Sequence, residues 1–147
     1  MPSGMVQMSG MPPAANEYAL DAHALIWFLG GNPRLGANAR TVMQDPASVL
    51  HVPVIALAEA CWAVAAGRTS IPSVATLLAD VDADPRITVV PLDRAILDRS
   101  LQLSAISEMH DRLVAATALH LGRPSSTVPL ITCDAEIASS GLVPVVW

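Results

Sequence analysis

The amino-acid sequence predicts an α/β domain with a parallel sheet covered by helices on both faces. Three observations lead there. Short, β-like apolar runs alternate along the chain with helical stretches, the pattern of strands joined by crossover helices. Those runs are apolar throughout, as in strands buried on both faces. The length of 147 residues suits one domain. For a chain of 15.4 kDa, surface scaling buries about two-thirds of the unfolded surface, enough for a core without staples.

A first strand is expected over Tyr18–Asp21, then a helix over Ala24–Leu29 that stops at Gly30-Gly31-Asn32-Pro33. A second helix, Ala37–Asp45, ends before Pro46, and Val49–Val52 reads as the next strand. Pro53 fits the first turn of a helix running to Gly67. Ser73–Val81 is helical, Ile87–Val90 a β-branched strand and Asp93–Leu103 an amphipathic helix. His110–Leu121 forms another helix, ended by Gly122 and Pro124. Leu130–Cys133 is a strand, a short helix starts at Asp134, and Leu142–Val146 is the last strand. The Arg123–Val128 stretch reads as a flexible loop insertion, and no internal repeat is found. In such sheets ligands collect outside the carboxyl ends of the strands. Acidic residues at strand ends and helix starts therefore carry the interest.

Composition narrows the function. Hydrophobic residues make up 52% and charged ones 14%, with a mean hydropathy of +0.47, too apolar for a disordered chain. No apolar run approaches the roughly 18–20 residues of a membrane span. The best stretch, Val54–Ala66, carries Glu59 in its middle. The net charge is −5, and all 8 basic residues are arginine. Without lysine there is no phosphate-loop lysine, Schiff base, pyridoxal chemistry or lysine-assisted phospho-aspartate site. An acidic chain does not hold nucleic acid by bulk charge, so such binding requires a bound cation or a local arginine patch. Cys61 and Cys133 form no CxxC pair, which argues against a disulfide framework or a zinc site. Residues 1–16, rich in Met, Pro, Gly and Ser, read as a disordered tail with neither a basic start nor an apolar signal core. The expected location is the cytoplasm, with Met1 or Met11 as the start.

Two carboxylates stand where carboxylates are expensive. Asp21 lies within YALDAHALIWFL, and Glu59 is the lone polar residue of VIALAEACWAVAA, with no basic residue at helical spacing. An unpaired buried carboxylate costs several kcal/mol or neutralises through a raised pKa. The bland alternatives are a strand-end turn for Asp21 and a wet helix edge for Glu59. Asp111, before RLVAATAL, and Asp134, after LITC, each read singly as helix caps.

Taken together, the order is Asp at the end of the first strand, Glu within a helix, Asp opening a late helix and Asp after a late strand. With the segments LDAHALIWFLGGNPRLGANAR, IALAEACWAVAAGR, HDRLVAATALHLG and PLITCDAEI, and the closing VPVVW, this order resembles the PIN-domain family, more closely its VapC-type toxin ribonucleases. The resemblance runs from Tyr18 to Trp147. It implies a three-layer α/β/α fold with a central parallel sheet over residues 17–147. It also implies an acidic pocket that binds Mg²⁺ or Mn²⁺ and cleaves RNA, with Asp21, Glu59, Asp111 and Asp134 as both metal ligands and catalytic residues. Asp21 and Asp111 match direct ligands, Glu59 a ligand or the group that orients the attacking water, and Asp134 a ligand through water or to a second ion. Thr132 could hydrogen-bond a ligand carboxylate or simply fill its strand. The family often places Thr or Ser after the first aspartate, where this chain has Ala22. The resemblance further implies a homodimer neutralised by a small antitoxin. An apolar groove around Trp27–Leu29 and Leu35–Val42 is the expected docking surface for that partner.

The remaining residues read more plainly. His23 packs locally, and His51, His110 and His120 lack metal-ligand spacing, though His110 could lie near the pocket through Asp111. Arg112 is expected to pair with a nearby acid. Trp27, Phe28 and Trp62 read as core, leaving no aromatic surface for stacking bases. A dinucleotide-binding domain would need GxGxxG after the first strand, where the chain reads LDAHAL. The alternative from another class is a catalytically weak PIN-like module that binds RNA or protein.

Overall fold

The computed structural model describes residues 16–147. The expected tail over residues 1–16, with the choice between Met1 and Met11, therefore lies almost wholly outside the described residues. Five strands form one sheet: β1 (Glu17–Leu20), β2 (Val49–Pro53), β3 (Ile87–Val90), β4 (Leu130–Ile131) and β5 (Val145–Val146), in the order β3-β2-β1-β4-β5. Every pairing is parallel, with Tyr18 beside Leu50, Leu50 beside Ile87, Leu20 beside Ile131 and Ile131 beside Val146. The helices are α1 (Ala22–Leu29), α2 (Ala37–Gln44), α3 (Val54–Ala65), α4 (Val74–Ala83), α5 (Arg94–Ser100), α6 (Met109–Leu121) and α7 (Ala135–Ser140). None of these is long and apolar enough to cross a membrane.

Neighbouring residues on a strand point to opposite faces, and the two cores follow that rule. Leu20, Leu50, Val52 and Ile131 pack with α1, α2, α4 and the second half of α3. Ala19 and Leu130 pack on the other face with Ala56, Ile96, Ile137 and the Val114–Ala118 stretch of α6. The result is the expected three-layer α/β/α arrangement. Strand order reverses between β1 and β4, because the chain builds β1, β2 and β3 outward and then crosses back to add β4 and β5. That reversal opens a crevice at the carboxyl ends of β1 and β4.

Several boundaries shift, each for a physical reason. The first strand ends at Leu20, because Asp21 turns out of the ladder to cap α1, which starts at Ala22 rather than Ala24. α2 stops at Gln44, with Asp45 in extended conformation as its cap, and β2 runs one residue further, to Pro53. The helix expected over Asp93–Leu103 is α5 alone, with Asp93 accepting from the Ile96 N–H as its N-cap. β4 is two residues long rather than reaching Cys133, and β5 begins at Val145 rather than Leu142. The Arg123–Val128 loop closes on itself through reciprocal backbone bonds between Arg123 and Ser126. The apolar groove expected around Trp27–Leu29 and Leu35–Val42 is not open: Leu35 is buried, and Trp27, Phe28, Leu29 and Val42 are half-buried against the core. Exposed large apolar side chains gather instead around α5, at Leu92, Leu97 and Leu101.

Candidate active site

Each acidic residue reaches the crevice from a different element. Asp21 follows β1 and is only 8% exposed. Its Oδ1 accepts from the Ala22 N–H at 2.7 Å, and its Oδ2 accepts from the Thr132 hydroxyl at 2.7 Å. Thr132, 1% exposed at the end of β4, also accepts the Asp134 N–H at 3.1 Å. One hydroxyl thus ties together the segments that leave the two strands at the switch point. Asp134 Oδ1 accepts the Ile137 N–H at 2.9 Å, so Asp134 is the N-cap of α7, and its other oxygen carries no hydrogen bond among the described residues.

Glu59 lies midway along α3, half-buried, with no hydrogen-bond partner for its carboxylate among the described residues. Asp111 lies in the first turn of α6 and does not cap it. That task falls to Glu108, whose side chain accepts the Asp111 N–H at 3.0 Å, leaving the Asp111 carboxylate free. The cap reading for Asp111 is thereby corrected, and sequence spacing missed it because Glu108 is a poor capping residue by propensity.

Asp21, Glu59, Asp111 and Asp134 all line one cavity of about 1010 Å³. None of them has an ion-pair partner among the described residues. Burial first, and then the charges of Asp134, Asp21, Glu108 and Glu59, lift the Asp111 carboxyl to about 7. Glu59 is also raised, first by burial and then by Asp21, with His110 pulling the other way. These mutual effects place the carboxylates within electrostatic reach of one another. Among the described residues, however, no three His, Cys, Asp or Glu side chains stand close enough to hold one ion jointly.

The neighbouring residues complete the picture. His110 lines the cavity, with Nδ1 2.8 Å from Glu108 Oε2 and its pKa raised by that hydrogen bond. His23 packs on Trp27, with ring centroids 5.1 Å apart. Among the described residues Arg112 pairs with no acid; its Nε donates to the Ile106 carbonyl, pinning the loop before α6. Cys61, half-buried, and Cys133, exposed, are free thiols. Trp62 departs most from expectation: it is 61% exposed, lines the cavity and carries the Arg68 guanidinium over its ring at 4.6 Å. Its sequence context, AEACWAVAA, is apolar apart from Glu59 and gives no hint of that exposure.

The family model described as the PIN domain matches residues 18–140. The chain belongs to the PIN-domain family. Solved structures similar to this PIN domain include VapBC2 from Rickettsia felis bound to a DNA fragment from its promoter, with a TM-score of 0.65 at 14% identity, covering 88% of this chain and 96% of that one. A toxin–antitoxin complex from Klebsiella pneumoniae gives 0.59 at 18% identity over 88% and 96% of the two chains. FitAcB from Neisseria gonorrhoeae gives 0.59 at 16% identity over 87% and 95%. At these identities the likeness establishes the fold. Comparison with curated proteins gave no match.

Proposed function

We propose that this PIN domain is a metal-dependent ribonuclease that cleaves RNA endonucleolytically and serves as the toxin of a toxin–antitoxin pair. One observation carries the reading: four carboxylates from four elements converge, without cation partners, on one cavity at the switch point of the sheet. Such an arrangement is unfavourable unless something positive enters. The four carboxylates offer only hard oxygen donors, which suits Mg²⁺ or Mn²⁺, with His23, His110 and the exposed Cys133 thiol along the same cavity wall. The spacing does not give three direct ligands as the side chains stand. Mg²⁺ commonly keeps several waters and one or two carboxylates, so the set fits a partly hydrated ion.

Asp21 and Asp111 would hold such an ion directly, and Asp134 through its free oxygen or a water. When bound, it acidifies water and offsets charge on the phosphoryl oxygens. The remaining chemistry belongs to the chain. Thr132 and the Ala22 N–H fix the Asp21 carboxylate, so its orientation is set before substrate arrives. Glu59, free of hydrogen bonds, orients the attacking water and can accept its proton. Asp111, with its carboxyl near neutrality, gives up its proton readily as positive charge enters.

The solved neighbours include a toxin–antitoxin complex, which supports an antitoxin as the partner here. An RNA substrate, a homodimeric state and a cytoplasmic location complete the proposal. The test is cleavage of RNA by the purified chain with Mg²⁺ or Mn²⁺. Cleavage that disappears with chelator and with Asp21→Asn, while the fold persists, is the expected result. Intact RNA at high protein with Mn²⁺ would reject the reading. It would favour the second one, a catalytically weak module, which draws on the wide carboxylate spacing and on Ala22.

A further inference from the structure

The cavity that gathers the carboxylates is also bordered by arginine and tryptophan, and nothing in the hydrolytic chemistry above uses them. Arg34 and Arg68 are exposed, line the cavity and pair with no carboxylate among the described residues. Each lies over an indole: Arg68 over Trp62 at 4.6 Å, Arg34 over Trp27 at 5.8 Å. The two tryptophans differ. Trp27 is packed against His23 at 5.1 Å and Trp147 at 5.8 Å, so its ring is largely spoken for. Trp62 is 61% exposed with a guanidinium already over one face, and exposure of that extent requires the other face to be open.

Position adds to exposure. Trp62 follows Glu59 by three residues on α3, and residues at that spacing share a helix face, about 5–6 Å apart at Cβ. The open indole therefore sits one short step from the carboxylate floor. A polyanion approaching this site meets an acidic floor on a molecule of net charge −5, and needs positive charge near the entrance. The unpaired guanidiniums of Arg34 and Arg68 supply it.

We infer that Trp62 and Arg68 form a subsite for one nucleotide of a single-stranded segment beside the scissile phosphate. The base stacks on the open indole face and the phosphate engages the guanidinium. The inference deepens the nuclease reading and rests on it for the identity of the ligand as RNA. It also selects strandedness: an unpaired base can offer its face to an indole, whereas a base inside a duplex is already stacked on both sides. Stacking is tolerant of base identity, so the subsite selects single strands rather than a sequence.

The experiment measures binding apart from cleavage. All arms carry Asp21→Asn to suppress cleavage, and a labelled single-stranded RNA is compared with a blunt-ended duplex of the same strand by fluorescence anisotropy in Mg²⁺. Trp62→Ala is expected to weaken single-strand binding about tenfold while duplex binding is unchanged, and Trp62→Phe to retain most of the affinity. Arg68→Gln is expected to weaken single-strand binding and lower its salt slope by about one. Circular dichroism matching the parent confirms that each variant is folded. Single-strand affinity unaffected by Trp62→Ala, equal losses on both RNAs, or no RNA binding by the parent would overturn the subsite, the last pointing to a protein occupant. Cleavage is measured separately with Asp21 intact. Absent cleavage with binding that still depends on Trp62 rejects the nuclease reading and supports the subsite. Cleavage with binding independent of Trp62 rejects the subsite alone.

Discussion

Asp21 accepts one hydrogen bond on each carboxylate oxygen, from the Ala22 N–H and the Thr132 hydroxyl, so dipoles rather than a cation compensate its charge. Removing one of those donors leaves a buried acceptor unsatisfied, a loss of about 1–3 kcal/mol. Thr132→Val, nearly isosteric, is therefore expected to lower stability by that amount in chemical denaturation, and to lower metal affinity because Asp21 is no longer fixed. A variant as stable as the parent would contradict the hydrogen bond. At this scale Asp21 and Glu59 were legible in the sequence, because a charge in an apolar run stands out. Glu108 as the cap and Trp62 as an exposed ring were not. Capping depends on where the helix begins, and α6 begins at Met109, one residue earlier than its apolar pattern indicates. Exposure of a tryptophan depends on what packs over it, which apolar neighbours on its own helix do not report.

At the scale of elements, alternation of strands and helices was readable along the whole chain, while the ends that build the site were not. Asp21, Thr132 and Asp134 each leave regular structure to bond with one another, so β1 and β4 are shorter than their apolar runs. The Thr132–Asp21 bond joins residues 111 positions apart, outside any local pattern, while the Thr132–Asp134 bond is local and forms only once the strand has ended. The start of α2 shows a similar long-range constraint. A Cβ added at Gly36 would stand 2.5 Å from the Trp147 carbonyl carbon, where the C-terminus lies against the helix entry. Gly36→Ala is expected to destabilise by about 1–3 kcal/mol through overpacking, since its φ of −60° is otherwise accessible to alanine. Thermal unfolding checks this, and an unchanged midpoint would mean that the C-terminus is free to move away.

For the whole molecule, the shared carboxylate cavity makes stability depend on pH with a definite sign. The Asp111 carboxyl titrates near 7 when folded against an ordinary value of 3.8. Between these values the folded state holds a proton that the unfolded state has lost, so stability falls as pH rises through that window. Glu17 and Asp84, lowered chiefly by His51 and Arg86, act oppositely, their contribution being lost as pH falls. Asp111→Asn isolates the first effect. In metal-free buffer it is expected to melt above the parent at pH 8 and together with it near pH 4. A variant that melts below the parent at pH 8 without metal would contradict the repulsion.

On the proposed reading, a divalent cation relieves the same repulsion. Because such an ion binds the folded cluster and not the unfolded chain, it stabilises by mass action, about 2.7 kcal/mol at a hundredfold excess over Kd. The most direct measurement is the melting temperature of the parent and of Asp21→Asn, titrated with Mg²⁺ and Mn²⁺ at pH 8. A rise in the parent that saturates with concentration and is absent from Asp21→Asn is the result predicted. A parent melting temperature that stays flat through millimolar concentrations of both ions would contradict it.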